Sequence, residues 1–168
     1  INNLKKNSEY SFLLEEVYFL YSFLKMNLQN DPEGLQHILN EIKKSNNLLL
    51  NFAASRLASK LGKNDLAISI LENRKQTSAH YTFWYLDYLL GVYKQNKMNP
   101  NAIKHLKNYV RNFEGKNYIK SAYMRISWYY LLQGDVDSFK LSQAKICNYG
   151  NTLVDGDKEA QRAFEKKI

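Results

Sequence analysis

Few residues of this 168-residue chain have the types and spacings that chemistry requires. The three histidines, His37, His80 and His105, stand 43 and 25 positions apart. Of these, only His37 has carboxylates one helical turn away, Glu33 and Glu41. One imidazole with two carboxylates lacks the second His or Cys that a zinc site recruits, so solvated helix faces are the expected setting of all three histidines. Cys147 follows Ile146 and is expected as a small buried apolar side chain rather than a nucleophile. Asp155, Asp157 and Glu159 alternate like the opening of a calcium loop. The position that such a loop reserves for a bidentate Glu holds Lys166, so Asp157 is expected to cap a helix instead. Glu15 and Glu16 are neighbours that point apart on a helix. The chain has no glycine-rich phosphate loop, no GxSxG and no CxxC pair. Catalysis, a bound metal and a cofactor are therefore not expected.

Charge offers more. The net charge is +8, and of 24 basic residues only Arg56, Arg74, Arg111, Arg125 and Arg162 are arginines. Lysine supplies a solvated point charge rather than the planar fork that reads base edges. The excess is concentrated: Lys94, Lys97, Lys104, Lys107, Arg111, Lys116, Lys120 and Arg125 face one acid, Glu114, in the window 94–125. Helical spacing gathers Lys104, Lys107 and Arg111 on one flank, beside the stripe of Ile103, Leu106 and Val110. This basic patch is either a solvated outer face or a landing surface for an acidic peptide, anionic lipid or nucleic acid.

The elements that position these residues read as helices. Seven Gly and two Pro are too few for the turns of an all-β domain, and 45% apolar residues with 13 Tyr, 8 Phe and 2 Trp argue against disorder. The segment Tyr81–Phe113 is an aromatic-rich helix, a break at Met98-Asn99-Pro100-Asn101, and an amphipathic helix closed by Gly115. Upstream, a helix from Glu9 to Leu28 is expected to bury Leu13, Leu14, Val17, Leu20, Tyr21 and Leu24. Asp31-Pro32-Glu33 opens the next helix. Segments from Asn47 to Leu61 and from Asn64 or Asp65 form a further pair, with Gly62 as a left-handed stop. Tyr118–Leu132 and Asp135–Ile146 form the last pair, turning at Gly134, and a terminal helix starts at Asp157. No run reaches the roughly 18 apolar residues of a membrane span. One thiol excludes an internal disulfide but names no compartment, so a soluble chain, cytoplasmic or exported after removal of a signal peptide, is the expectation. An opening Ile1 suits a piece of a longer protein.

The hairpin turns near Asn30, Gly62, Lys97 and Gly134 are spaced by 32, 35 and 37 residues. Residue types recur too: Tyr123, Ile126-Ser127, Tyr130, Phe139 and Ile146 in the last pair; Ala54-Ser55, Ala58, Ala67 and Leu71 in the second. The central pair has Leu89, Tyr93, Ala102, Leu106 and Tyr109, with Gly91 one place late, and in the first pair Phe23 occupies the place of a small residue. With these residues the chain resembles a degenerate tetratricopeptide-repeat (TPR) array over residues 9–149, without the proline that usually closes a unit. The resemblance implies an all-α fold, antiparallel helix hairpins stacked as an α-solenoid in one domain, 1–168. Its units would be 9–45, 47–75, 79–114 and 117–149, with a terminal helix at 157–168. An irregular helical bundle is the alternative.

The resemblance also implies a non-catalytic scaffold that binds a peptide or partner protein on a concave face. Carrying over the facing positions places Phe52, Arg56, Trp84, Asp87, Lys94, Met124 and Trp128 on that face. The alternative for Trp84 and Trp128 is burial between helices. The Lys and Asn clamp for a free carboxy terminus is missing. Two other expectations compete: binding of nucleic acid or an anionic surface through 94–125, and an architectural role within a larger helical repeat protein. Oligomeric state has no signature here.

Overall fold

The computed structural model describes residues 13–28, 31–75 and 82–166. The expected helical residues 9–12, the turn mark Asn30, His80, and the start of the third pair at 79–81 lie outside the described residues. Among the described residues there are nine α-helices and no strand: α1 (Leu14–Leu28), α2 (Pro32–Ile42), α3 (Leu48–Lys60), α4 (Asn64–Glu72), α5 (Tyr85–Asn96), α6 (Ala102–Asn112), α7 (Ile119–Leu132), α8 (Val136–Asn148) and α9 (Asp155–Glu165). The chain divides into two compact units, Ile1–Tyr81 and Thr82–Ile168.

In the first unit α1 packs on α2 and α3, and α3 packs closely on α4. Asp31 caps α2 by accepting from the Gly34 N–H at 2.9 Å, and Pro32 fills the first turn, where no N–H partner is needed. Asn47 caps α3 through the Leu49 N–H. The core is Leu35, Ile38, Leu39, Ile42, Leu50, Ala53, Leu57, Ala67 and Leu71. The expected inward face of α1 is corrected: Tyr18, Ser22 and Met26 are buried, while Leu13, Leu20, Tyr21 and Leu24 are exposed. This helix is apolar nearly all round, so its pattern cannot choose a face. Ser22 allows close approach, and the Tyr18 hydroxyl donates to Glu41 at 2.8 Å.

In the second unit α5 packs on α6, α6 on α7, α7 on α8, and α9 lies against both α7 and α8. The nearly all-apolar α5 is enclosed, with Leu86, Tyr88, Leu89, Leu90, Gly91 and Tyr93 buried. Tyr88 meets Tyr109 at 5.4 Å and Tyr118 at 5.1 Å between ring centres, joining α5, α6 and the start of α7. Met124, Ile146 and Ala160 form a second cluster beneath Tyr123 and Phe164. The expected stop at Gly115 is corrected: α6 ends at Asn112, because the Phe113 ring stacks on Tyr109 and folds over Gly115.

Two features recur along the chain. Left-handed backbone follows the first helix of three successive pairs at Gly62, Met98 and Gly134, each 36 positions from the next. In each, the next residue donates back into the helix: Lys63 to Ala58, Asn99 to Lys94 and Asp135 to Tyr130, at 2.8–3.0 Å. This is the same helix-stop motif three times. Seven positions before each turn stands a small buried residue, Ser55, Gly91 or Ser127, and Ser22 matches them on α1. The three serines each donate to the carbonyl three residues back, which satisfies the hydroxyl proton within the serine's own helix.

Candidate functional site

The expectation that Asp157 caps its own helix is corrected: α9 already begins at Asp155. Its fully buried carboxylate reaches α7, accepting from the Tyr118 and Ser121 N–H groups. Burial pushes the carboxyl above the ordinary carboxylate range, against the pull of those two bonds and of nearby Lys120. The other end of the neighbouring pair is tied in the reverse sense. Lys120, itself buried, donates to the Ile146 carbonyl near the end of α8, where a cation suits the helix dipole. These contacts fix the relative placement of α7, α8 and α9.

On the framework of α6, α7 and α8 lies an open cleft of about 390 Å³. Its floor is one face of α7: Tyr123, Ile126 and Tyr130, spaced three and four residues apart. α6 contributes Lys107, Val110 and Arg111 to one wall. α8 contributes Ser138, Leu141, Ser142 and Lys145 to the other. Three cations thus surround a partly apolar floor, and among the described residues no carboxylate lines the cleft. The Lys107 ammonium lies 5.2 Å from the Tyr130 ring centre, and the Lys145 ammonium 5.4 Å from that of Tyr123. Ring faces of this kind hold a cation in place without neutralising it.

The structure brings Lys107 and Arg111 together here, as their spacing implies; Lys104 is exposed but does not line the cleft. Lys145 comes from α8, 34 positions beyond Arg111, and was not legible as a member. The basic window as a whole is not one face. Lys94 and Lys120 are buried, and the Arg125 guanidinium bonds Gln95 at 3.3 Å and lies over Trp128.

The expected partner-facing residues fare unevenly. Asp87 and Lys94 are buried, a correction to their expected place in an open groove. Both meet His105 of α6: Lys94 Nζ is 3.2 Å from Nε2, and Asp87 Oδ1 is 3.2 Å from Nδ1. An ammonium only donates, so Nε2 accepts and the ring proton sits on Nδ1, facing Asp87. Asn108 donates to the second oxygen of Asp87 at 3.2 Å. Polar groups of two helices meet here, which corrects the expectation of a solvated face for His105: it is half-buried. Met124 is likewise corrected, from groove to core. Phe52 is half-buried with its ring 6.3 Å from Phe19 of α1, and Arg56 is exposed. Trp84 is half-buried and Trp128 is 42% exposed. Cys147 is exposed rather than buried, because Ile146 takes the inward position next to it. Among the described residues no three His, Cys, Asp or Glu side chains are grouped to hold a metal ion, and no helix is long and apolar enough to cross a membrane.

No protein-family model, curated protein or solved structure matches the chain.

Proposed function

We propose that this chain is a non-catalytic protein-interaction module, its helix pairs a tetratricopeptide-like array, and that a partner protein docks on the cleft of α6, α7 and α8. The array is supported by the 36-residue recurrence of the left-handed turn and of the small buried residue before it. Such a period belongs to helix pairs that cover one another's apolar sides. One observation carries the docking site: Lys107, Arg111 and Lys145 converge on an open, partly apolar cleft that no carboxylate among the described residues lines. Unneutralised like charges repel one another and raise the free energy of the empty cleft, and a bound partner of opposite charge relieves that.

Photo-crosslinking in the cells that make the protein tests this reading. A benzophenone amino acid at Leu141, 68% exposed on the cleft wall, is expected to capture a discrete protein, whereas the same group at exposed Lys166 captures none. Capture of nucleic acid at Leu141, or of nothing, would end it.

A further inference from the structure

The floor of the cleft has a direction. Tyr123 and Tyr130 are seven residues apart on one helix, two turns, or about 10 Å. Lys145 is seated on the first ring and Lys107 on the second, so a cation stands at each end of the floor. Between them the floor is Ile126, only 3% exposed, with Val110 and Leu141 on either side. A complementary ligand therefore has negative charge at two points about 10 Å apart and an apolar group between. Along an extended peptide that distance is about three residues, and along a helix about seven.

From this geometry, and resting on the interaction-module reading above, we propose that the occupant is an acidic segment of a partner protein. Its carboxylates flank an apolar side chain, the acids meet Lys107, Arg111 and Lys145, and the apolar side chain lies between Val110 and Leu141, above the buried Ile126. A nucleic acid fits less well for two reasons. Bases bind such surfaces by stacking on open aromatic faces, and here the Lys107 and Lys145 ammoniums sit against the rings of Tyr130 and Tyr123. A phosphodiester backbone also has nothing to place on Val110, Ile126 and Leu141. An anionic membrane would call for a broad basic face, whereas Lys94 and Lys120 of the same window are buried in the fold.

The test is selection of a displayed random dodecapeptide library on the whole chain, followed by affinity measurement of the enriched peptides. Enriched sequences are expected to carry Asp or Glu on both sides of Leu, Ile, Val or Phe. Their affinity should fall at least about tenfold in the triple variant K107E/R111E/K145E, and fall with added salt, because Lys107, Arg111 and Lys145 are exposed and open to screening. The variant K140E, whose lysine is exposed on α8 outside the cleft, should bind as the parent does. Tryptophan fluorescence and thermal unfolding establish that each variant is folded. Acidic peptides that bind the triple variant unchanged would overturn the assignment of the site. Enrichment of apolar or basic peptides insensitive to the triple variant, but lost in Trp128→Ala, would overturn the acidic-segment proposal and leave the interaction-module reading standing. Absence of any enriched peptide, together with failure of the Leu141 crosslink, would remove both. Oligouridylate or phosphatidylserine vesicles competing with the peptide at lower concentration than the peptide itself would reassign the cleft to those ligands. Sedimentation that shows self-association abolished by E15K/E16K would assign it to a second copy of this chain.

Discussion

The Asp157 carboxylate accepts a hydrogen bond from the Ser121 N–H at 2.9 Å, across 36 positions of sequence. An N-terminal cap normally comes from the residue just before the helix; α7 has Tyr118 there, in left-handed backbone, with no side-chain cap of its own. α9 supplies the acceptor, so the last helix completes the start of α7. Both tryptophans, Trp84 and Trp128, belong to the second unit, so their fluorescence reports its unfolding. Asp157→Ala leaves two N–H groups without their acceptor and is expected to lower the stability of this unit by about 2 kcal/mol. Asp157→Asn keeps one acceptor oxygen and should recover part of the loss. Urea unfolding followed by tryptophan emission measures both, and an Ala variant as stable as the parent would mean that α9 merely rests on α7.

The same carboxylate sets a pH dependence of known sign. Burial raises its folded pKa above the ordinary value, so the folded state holds the proton to higher pH than the unfolded chain does. Its contribution is complete below the ordinary carboxylate range and is lost as pH rises through the raised value. The stability of the parent relative to Asp157→Asn should therefore decline between about pH 4 and neutrality. Asp135 and Asp155 act oppositely: hydrogen bonds to Ser138 and to Lys158 hold them low, so their contribution is lost as pH falls. Both are present in the two proteins and cancel in the difference. A gap that widens toward neutral pH would show the N–H bonds outweighing burial.

What the sequence discloses follows from the range of each interaction. Asp31-Pro32, Gly62 and Gly134 act within a turn of themselves, and their roles are legible from neighbours alone. Lys107 and Arg111 share a helix face, so their proximity was legible too. Asp157, Lys94 and Lys145 act across 11 to 39 positions, and nothing in their own segments marks their partners. Counted from Lys97, Gly91 stands one place late; counted from the left-handed residue Met98, it keeps the register of Ser55 and Ser127. The face of α1 was illegible for another reason, since apolar residues surround it and only contact with α2 and α3 selects one side.

Gly91 has little latitude. A Cβ built there comes within 2.7 Å of Leu106 Cγ and 3.2 Å of the Leu106 backbone nitrogen. Leu106 is wholly buried and cannot swing away. Replacing a helical glycine by alanine ordinarily gains about 1 kcal/mol. Forcing a methyl group into a filled contact costs about 1–3 kcal/mol. Gly91→Ala is therefore expected to destabilise the second unit by about 1 kcal/mol, with α5 and α6 moved apart. A rise in the tryptophan-monitored midpoint would show that this helix pair yields more readily than its packing implies.

Met98 offers the converse experiment. It holds φ +54°, where Gly62 and Gly134 hold +72° and +74°, and its Cβ crowds its own backbone there. The side chain is 71% exposed, so its removal forfeits little packing. A non-glycine residue in this region carries about 1–2 kcal/mol of strain, against which glycine's greater freedom in the unfolded chain returns about 0.5–1 kcal/mol. Met98→Gly should thus stabilise the second unit by about 0.5–1 kcal/mol. Gly134→Ala, with nothing near its Cβ and the same backbone, should destabilise it by a similar amount. Paired urea titrations with tryptophan emission compare them directly. Equal effects of opposite sign are expected if the two turns are the same device in successive helix pairs; a neutral or destabilising Met98→Gly would mean that the third pair turns by a different rule.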